Sequence, residues 1–330
     1  MEYVRLKDIA TRASVSINTV SRALKGKSDI GLSTIRKIKK IAEEMGYVPD
    51  AAAVSLRSRT SKAVGVIITY IDNSFFARIL QGINDVVSTH GYTIITLASN
   101  ENLDKETEIL KLLTAYRVSG ILLVPSRDLI SEFDYDRLRV PHITIVRKGS
   151  LNTESYFITD SFSSGTLAGQ YAISKGRKHP AYLGFGLPVS CNQTRQEGYL
   201  RALQQVGLGI GEKEIRMCDA TAEDAYSAAV DWFRVNPRID FLFVYNDQMA
   251  LGVLRALHDL GVKVPDDVSV LGHDDIEAAR HYTPSISTIR VPKYRLGYES
   301  ASCLMDLIRN KEKKNTTNTV YEPELVERET

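Results

Sequence analysis

The chain has 330 residues, with 42 Lys/Arg against 40 Asp/Glu, a formal net charge of +2 and 43% hydrophobic residues. No apolar run is long enough to span a bilayer and the N-terminus has no signal-peptide pattern, so neither a membrane-spanning helix nor secretion is expected. Cys191, Cys218 and Cys303 stand apart without ligand spacing, which argues against a structural disulfide or zinc site and suits a reducing cytoplasm.

The first elements are two short helices around the turn Ser14-Val15-Ser16. One carries Leu6, Ile9, Ala10 and Ala13 on a single face. The next turns Val20, Ala23 and Leu24 inward and leaves Ile17, Asn18, Ser21 and Arg22 on its open face. A helix too short to be stable alone, with small polar and basic residues outward, suits a DNA major groove. A third helix is expected from Ser33 to Met45, with Ser33 as N-cap and Gly46 as its stop. Pro49 then marks a boundary before the short Ala-rich segment 50–57 and a polar linker to 62, which would order only when docked. Residues 1–62 hold 13 Lys/Arg against 6 Asp/Glu and the remainder 29 against 34, so a head of net +7 sits on a body of net −5. Phosphate attraction is therefore expected at the head and not elsewhere.

From residue 63 the pattern alternates. Buried strands are expected at 64–68, 93–97, 121–124 and 143–146, with helices over 76–90 and 104–116 between them. The pattern restarts with strands at 181–185, 241–244 and 268–271 and helices near 165–174, 193–205, 222–235 and 250–260. A last helix is expected over 294–308. Two such blocks in series imply two parallel-sheet lobes with a cleft between them. Roughly 270 residues are ample for their cores. The fold class is thus an all-α helix-turn-helix headpiece followed by α/β, two tandem parallel-sheet lobes.

Together these residues resemble the lactose/galactose repressor family of bacterial transcription regulators. The resemblance rests on Leu6-Lys7-Asp8-Ile9-Ala10, Thr19-Val20-Ser21-Arg22-Ala23-Leu24, Gly46-Tyr47-Val48-Pro49 and Ala53-Val54-Ser55-Leu56-Arg57. In the body it rests on 72–76, 195–199, Asn246-Asp247, Gly272-His273-Asp274-Asp275 and 283–289, and it covers practically the whole chain. It implies a headpiece over 1–48, a hinge helix and linker over 49–62, and a two-lobed, periplasmic-binding-protein-like effector and dimerisation domain over 63–330. Lobe 1 is expected to comprise about 63–158 plus 292–310, and lobe 2 about 159–291 plus 311–330.

The resemblance makes Ile17, Asn18 and Arg22 the base readers: Arg22 for guanine, Asn18 for adenine and Ile17 for a thymine methyl. Ser16, Thr19 and Ser21 would contact phosphate or set register. In the hinge, the resemblance implies that Ala53 and Leu56 contact DNA, Leu56 wedging between base steps of the minor groove. Two-fold symmetry then implies a homodimer on a near-palindromic operator. No sustained leucine heptad follows residue 310 to build a tetramer. The implied effector residues are Phe75, Phe76, Arg147, Asp160, Arg195, Asn246 and Asp274, a set that suits hydroxyls and apolar ring faces. The expected ligand is a sugar or sugar derivative. Two departures from the family pattern bear on that: Arg147-Lys148 would favour an acidic or phosphorylated ligand, and His273 would introduce pH sensitivity. A corepressor-dependent regulator sensing a nucleobase, or one needing a partner protein, is the alternative. No Gly-rich phosphate loop follows the strand at 64–68, and no nucleophile–base set, cofactor motif or metal spacing stands out, so an enzyme is not expected.

Overall fold

Three helices, α1 (Leu6–Ala13), α2 (Ile17–Leu24) and α3 (Leu32–Glu44), close over Ile9, Ala13, Val20, Ala23 and Ile38, all at most 2% exposed. This is seen in a computed structural model that describes residues 4–48, 61–128, 135, 138, 140–149, 155–310 and 316–330. The chain divides into two units, Met1–Ser61 and Lys62–Thr330. In the first, Asp8 accepts from the Arg5 backbone N–H at 2.7 Å and so fastens the start of α1. Ser14, in left-handed conformation at φ 57°, ends it. Helix α3 begins one residue before the expected Ser33. Its N-cap is Gly31, and Ser33 lies inside the first turn. Gly46 at φ 64° lets the Tyr47 N–H reach back to the Ala42 carbonyl at 2.9 Å, a left-handed helix stop.

The second unit contains two six-stranded sheets. The first has the order β11-β5-β4-β3-β1-β2, from β1 (Ala63–Ile68), β2 (Thr93–Ala98), β3 (Gly120–Leu123), β4 (His142–Ile145), β5 (Ser155–Thr159) and β11 (Asn318–Tyr321). The second has the order β12-β10-β9-β8-β6-β7, from β6 (Pro180–Phe185), β7 (Ile215–Cys218), β8 (Phe241–Val244), β9 (Ser269–Asp274), β10 (Ser287–Arg290) and β12 (Glu324–Val326). All pairings are parallel except β10 with β12. Every residue of β1, β3, β6, β8 and β9 is buried, as expected for strands covered on both faces.

Helices α4 (Ser74–Thr89) and α5 (Leu103–Ala115) belong to lobe 1, while α6 (Ser161–Ser174), α7 (Ser190–Gln204), α8 (Ala222–Val235), α9 (Asp247–Asp259) and the short α10 (Glu277–His281) belong to lobe 2. The final helix, α11 (Lys293–Arg309), crosses back and packs on α4 of lobe 1. The expected placement of all of 311–330 in lobe 2 is corrected. Asn318–Tyr321 adds a strand to lobe 1, parallel to β5, and only Glu324–Val326 reaches lobe 2. The chain therefore passes between the lobes three times, after β5, after β10 and after β11. Among the described residues no helix is long and apolar enough to cross a membrane.

Candidate functional site

In the N-terminal unit, burying Val20 and Ala23 forces the opposite face of α2 outward. Ile17 is 52% exposed there, an unusual cost for an isoleucine, and Asn18 and Arg22 are exposed beside it. Ser16 caps the helix: its hydroxyl oxygen accepts from the Thr19 N–H at 3.0 Å and lies 2.8 Å from the Thr19 hydroxyl. The two hydroxyls thus set the helix start before any phosphate arrives. The Arg22 guanidinium is ion-paired with Asp29 in the turn that follows α2. Hydrogen bonds from Arg22 hold the Asp29 carboxyl below its ordinary range. Ala53 and Leu56 lie outside the described residues.

Between the lobes of the second unit is a cavity lined by residues of both lobes. Of the seven expected effector residues, six line it: Phe75 and Phe76 from α4, Arg147 after β4, Arg195 on α7, Asn246 after β8 and Asp274 at the end of β9. The seventh does not. Asp160 is the N-cap of α6, its carboxylate accepting from the Ser163 N–H at 2.9 Å and the Ser163 hydroxyl at 2.8 Å. Its neighbours Thr159 and Ser161 reach the cavity instead. An aspartate before Ser-Phe-Ser-Ser is a cap signal that the sequence already carried.

Each polar group is held in place. Asn73 caps α4, accepting from the Phe75 N–H at 3.0 Å, and the rings of Phe75 and Phe76 meet edge to face with centroids 5.1 Å apart. Asn246 caps α9 through the Met249 N–H at 2.8 Å. Arg195 does not pair with Glu197 on its own helix. It donates to the Tyr245 carbonyl and lies over the Tyr245 ring, 4.9 Å from its centroid. Asp274 has φ 110°, in the region that L-residues rarely adopt. The buried Lys293 secures this turn by donating to the carbonyls of Asp274 and Asp275. Burial works to raise the Asp275 carboxyl, but hydrogen bonds from Arg280, Arg328 and Arg290 outweigh it and hold the group well below its usual range.

The two expectations drawn from unusual residues are corrected. Arg147 is not half of a basic pair: it is 5% exposed and forms a two-pronged ion pair with Glu101, at 2.7 and 2.9 Å. Lys148 is exposed and sits over the Tyr156 ring at 4.4 Å. His273 Nδ1 donates to Asp274 at 2.8 Å, and its Nε2 lies 3.2 Å from the Ser164 hydroxyl. Burial, helped by Arg195, pushes the imidazole down to about 4, so it is neutral across the ordinary pH range. Sequence reasoning missed Glu101, Phe185 and Tyr245, all in the cavity wall. Phe185 and Tyr245 follow buried runs and read as core, where their rings indeed stack with centroids 5.4 Å apart. No sequence signal marked Glu101. Among the described residues the buried Nε atoms of Arg147 and Arg195, both on side chains that line the cavity, have no partner. Among the described residues there is no cluster of His, Cys, Asp or Glu suited to a metal ion.

Two family models match the chain. One, described as bacterial regulatory proteins of the lacI family, matches residues 5–50; the other, described as periplasmic binding proteins and sugar binding domain of the LacI family, matches residues 61–328. Curated relatives include two proteins called HTH-type transcriptional repressor PurR. That of Vibrio atlanticus (strain LGP32) is 30% identical over 98% of both chains. That of Proteus mirabilis (strain HI4320) is 31% identical over 98% of this chain and 95% of its own. Among solved structures, a complex of the transcriptional regulator CelR with cellobiose is 25% identical, with a TM-score of 0.73 over 99% of both chains. A lac repressor dimer bound to operator and the anti-inducer ONPF is 24% identical, with a TM-score of 0.86 over 100% of this chain and 99% of that one, and shares the fold.

Proposed function

This chain belongs to the lacI family of bacterial regulatory proteins, and on that premise we propose how its residues divide the work of an effector-controlled, DNA-binding transcriptional repressor. The headpiece, 1–48, reads one half-site of a near-palindromic operator in the bacterial cytoplasm, and a homodimer reads both. Ile17, Asn18 and Arg22 contact bases, while Ser16, Thr19 and Ser21 set register on the phosphates. Within 49–62, Ala53 and Leu56 contact DNA, with Leu56 wedging the minor groove.

The effector binds between the lobes and is a small neutral molecule rich in hydroxyls, a carbohydrate. The observation that carries this is the lining of that cavity, which brings together the Arg147 and Arg195 guanidinium groups, the Asp274 carboxylate and the Phe75 and Phe76 rings, with both arginine Nε–H groups unpartnered among the described residues. Donors and an acceptor at fixed positions match neighbouring hydroxyls, and the rings suit the C–H faces of a sugar. CelR is recorded with cellobiose, a relative's ligand of the same class. The stacked Phe185 and Tyr245 rings favour a second reading, a planar nucleobase. The bound molecule shifts a conformational equilibrium and is not turned over.

Calorimetric titration of the full chain with neutral sugars and with nucleobases decides between the two. The proposal expects heat of binding from a sugar. Replacing Asp274→Ala should weaken that binding by at least about tenfold, the worth of one charge-assisted hydrogen bond, with operator affinity retained. Binding of nucleobases alone would replace the sugar by a base, and undiminished binding by the variant would remove Asp274 from the site.

A further inference from the structure

The Arg147–Glu101 pair has a consequence for which molecules the cavity admits. Glu101 is fully buried, 46 residues before its partner in sequence, at φ 54° in the turn after β2. It grips both terminal nitrogens of Arg147, and its Oε2 also accepts from the Arg127 N–H at 3.1 Å. The Pro125 carbonyl takes a further bond from Arg147 Nη1 at 3.1 Å. Among the described residues the Arg147 Nε–H has no partner. The end-on edge of the guanidinium is thus taken, and its charge is met by a buried carboxylate before any phosphate or carboxylate arrives.

The charges lining the cavity also sum to zero, because Arg147 and Arg195 face Glu101 and Asp274 while His273 is neutral. An anion would bring an unpaired negative charge against two buried carboxylates, and burying an uncompensated charge is costly. We propose that Glu101 is a specificity-determining residue: by occupying Arg147 it makes the cavity reject phosphorylated and acidic ligands and accept their neutral counterparts. This rests on the cavity being the effector site and names the charge class of what enters it.

The test uses the full chain and inorganic phosphate, at fixed ionic strength against chloride, with melting temperature as the readout. A parallel titration compares ribose with ribose 5-phosphate. The unaltered chain should gain no phosphate-dependent rise in melting temperature, and any sugar it binds should lose more than about tenfold in affinity when phosphorylated. Glu101→Gln frees the Arg147 fork without changing side-chain volume and should gain the phosphate response. Glu101→Gln with Arg147→Gln should lose it again, which separates the cavity from phosphate held at the headpiece. A phosphate response in the unaltered chain that Arg147→Gln removes overturns the proposal without recourse to the Glu101 variant. So does tighter binding of ribose 5-phosphate than of ribose, or a folded Glu101→Gln chain no more responsive than the original. Should no neutral sugar bind while the phosphate pattern holds, the role of Glu101 stands and the carbohydrate reading falls.

Discussion

Single residues carry the chemistry, and two of them make predictions that do not depend on the effector. Asp247, fully buried at the start of α9, accepts from the Thr288 hydroxyl at 2.7 Å and the Ile276 N–H at 2.9 Å. Burial, reinforced by Asp274, pushes its carboxyl up to about 8. The folded chain thus keeps a proton that the unfolded chain releases above its ordinary value near 4. The associated stability is complete below that value and is lost as pH rises toward 8. Asp247→Asn copies the protonated form, so it should flatten this loss, on the order of 3 kcal/mol, in melting curves at pH 5 and pH 8.5. Parallel falls in the two proteins would contradict the assignment. In the headpiece, Asp29→Asn releases Arg22 and removes a negative charge beside the DNA-facing helix. Non-operator DNA should then bind a few-fold more tightly at low salt, as read by anisotropy. Arg195, Asn246 and Asp274 were reached through the family resemblance, and all three line the cavity. Glu101 was not, since its partner is distant in the chain and a glutamate in a polar turn reads as solvated.

At the scale of elements, legibility followed apolar continuity. β1, β3, β6 and β8 are short apolar runs, and their existence followed from the pattern alone. β7, β11 and β12 were missed because each lies at a sheet edge with few buried side chains, and the interior, largely buried β10 was missed because Ser287 and Thr288 interrupt its apolar run. That omission hid the third passage between the lobes. The packing of α6 on α7 shows how helices position a ligand group. A Cβ at Gly198 would lie 2.1 Å from the Phe162 carbonyl oxygen, and one at Gly165 would lie 1.9 Å from that of Arg195. The two backbones touch, and that contact fixes the turn of α7 from which Arg195 reaches the cavity. Gly198→Ala should therefore cost about 3 kcal/mol in denaturant unfolding and also weaken effector binding by displacing Arg195. A variant of unchanged stability would mean that the helices separate at little cost.

For the whole molecule, the distribution of charge and the lobe crossovers define two tasks on one chain. The basic head meets phosphate, and the mildly acidic body has no such attraction. The lobes are joined at three crossovers and by a bond across the cleft, where Asp128 of lobe 1 accepts from the Ser190 N–H of lobe 2 at 2.9 Å. Ligand binding between lobes so connected biases their relative arrangement, provided that the ligand binds one arrangement better. The division into headpiece and two-lobed body was legible from the change of periodicity near residue 63. The link between them, residues 49–60 with Ala53 and Leu56, lies outside the described residues, and Leu56→Ala tests it. That variant should lose about tenfold or more in operator affinity with effector affinity unchanged.

The most direct measurement is fluorescence anisotropy of the full chain on a near-palindromic operator selected from a randomised pool, at near-physiological salt, with and without the sugar identified by calorimetry. The account predicts specific binding whose affinity the sugar changes by at least about tenfold, with the change abolished in Asp274→Ala and the binding itself retained. Specific binding that no cavity ligand alters, or an Asp274→Ala chain that still responds, would contradict it.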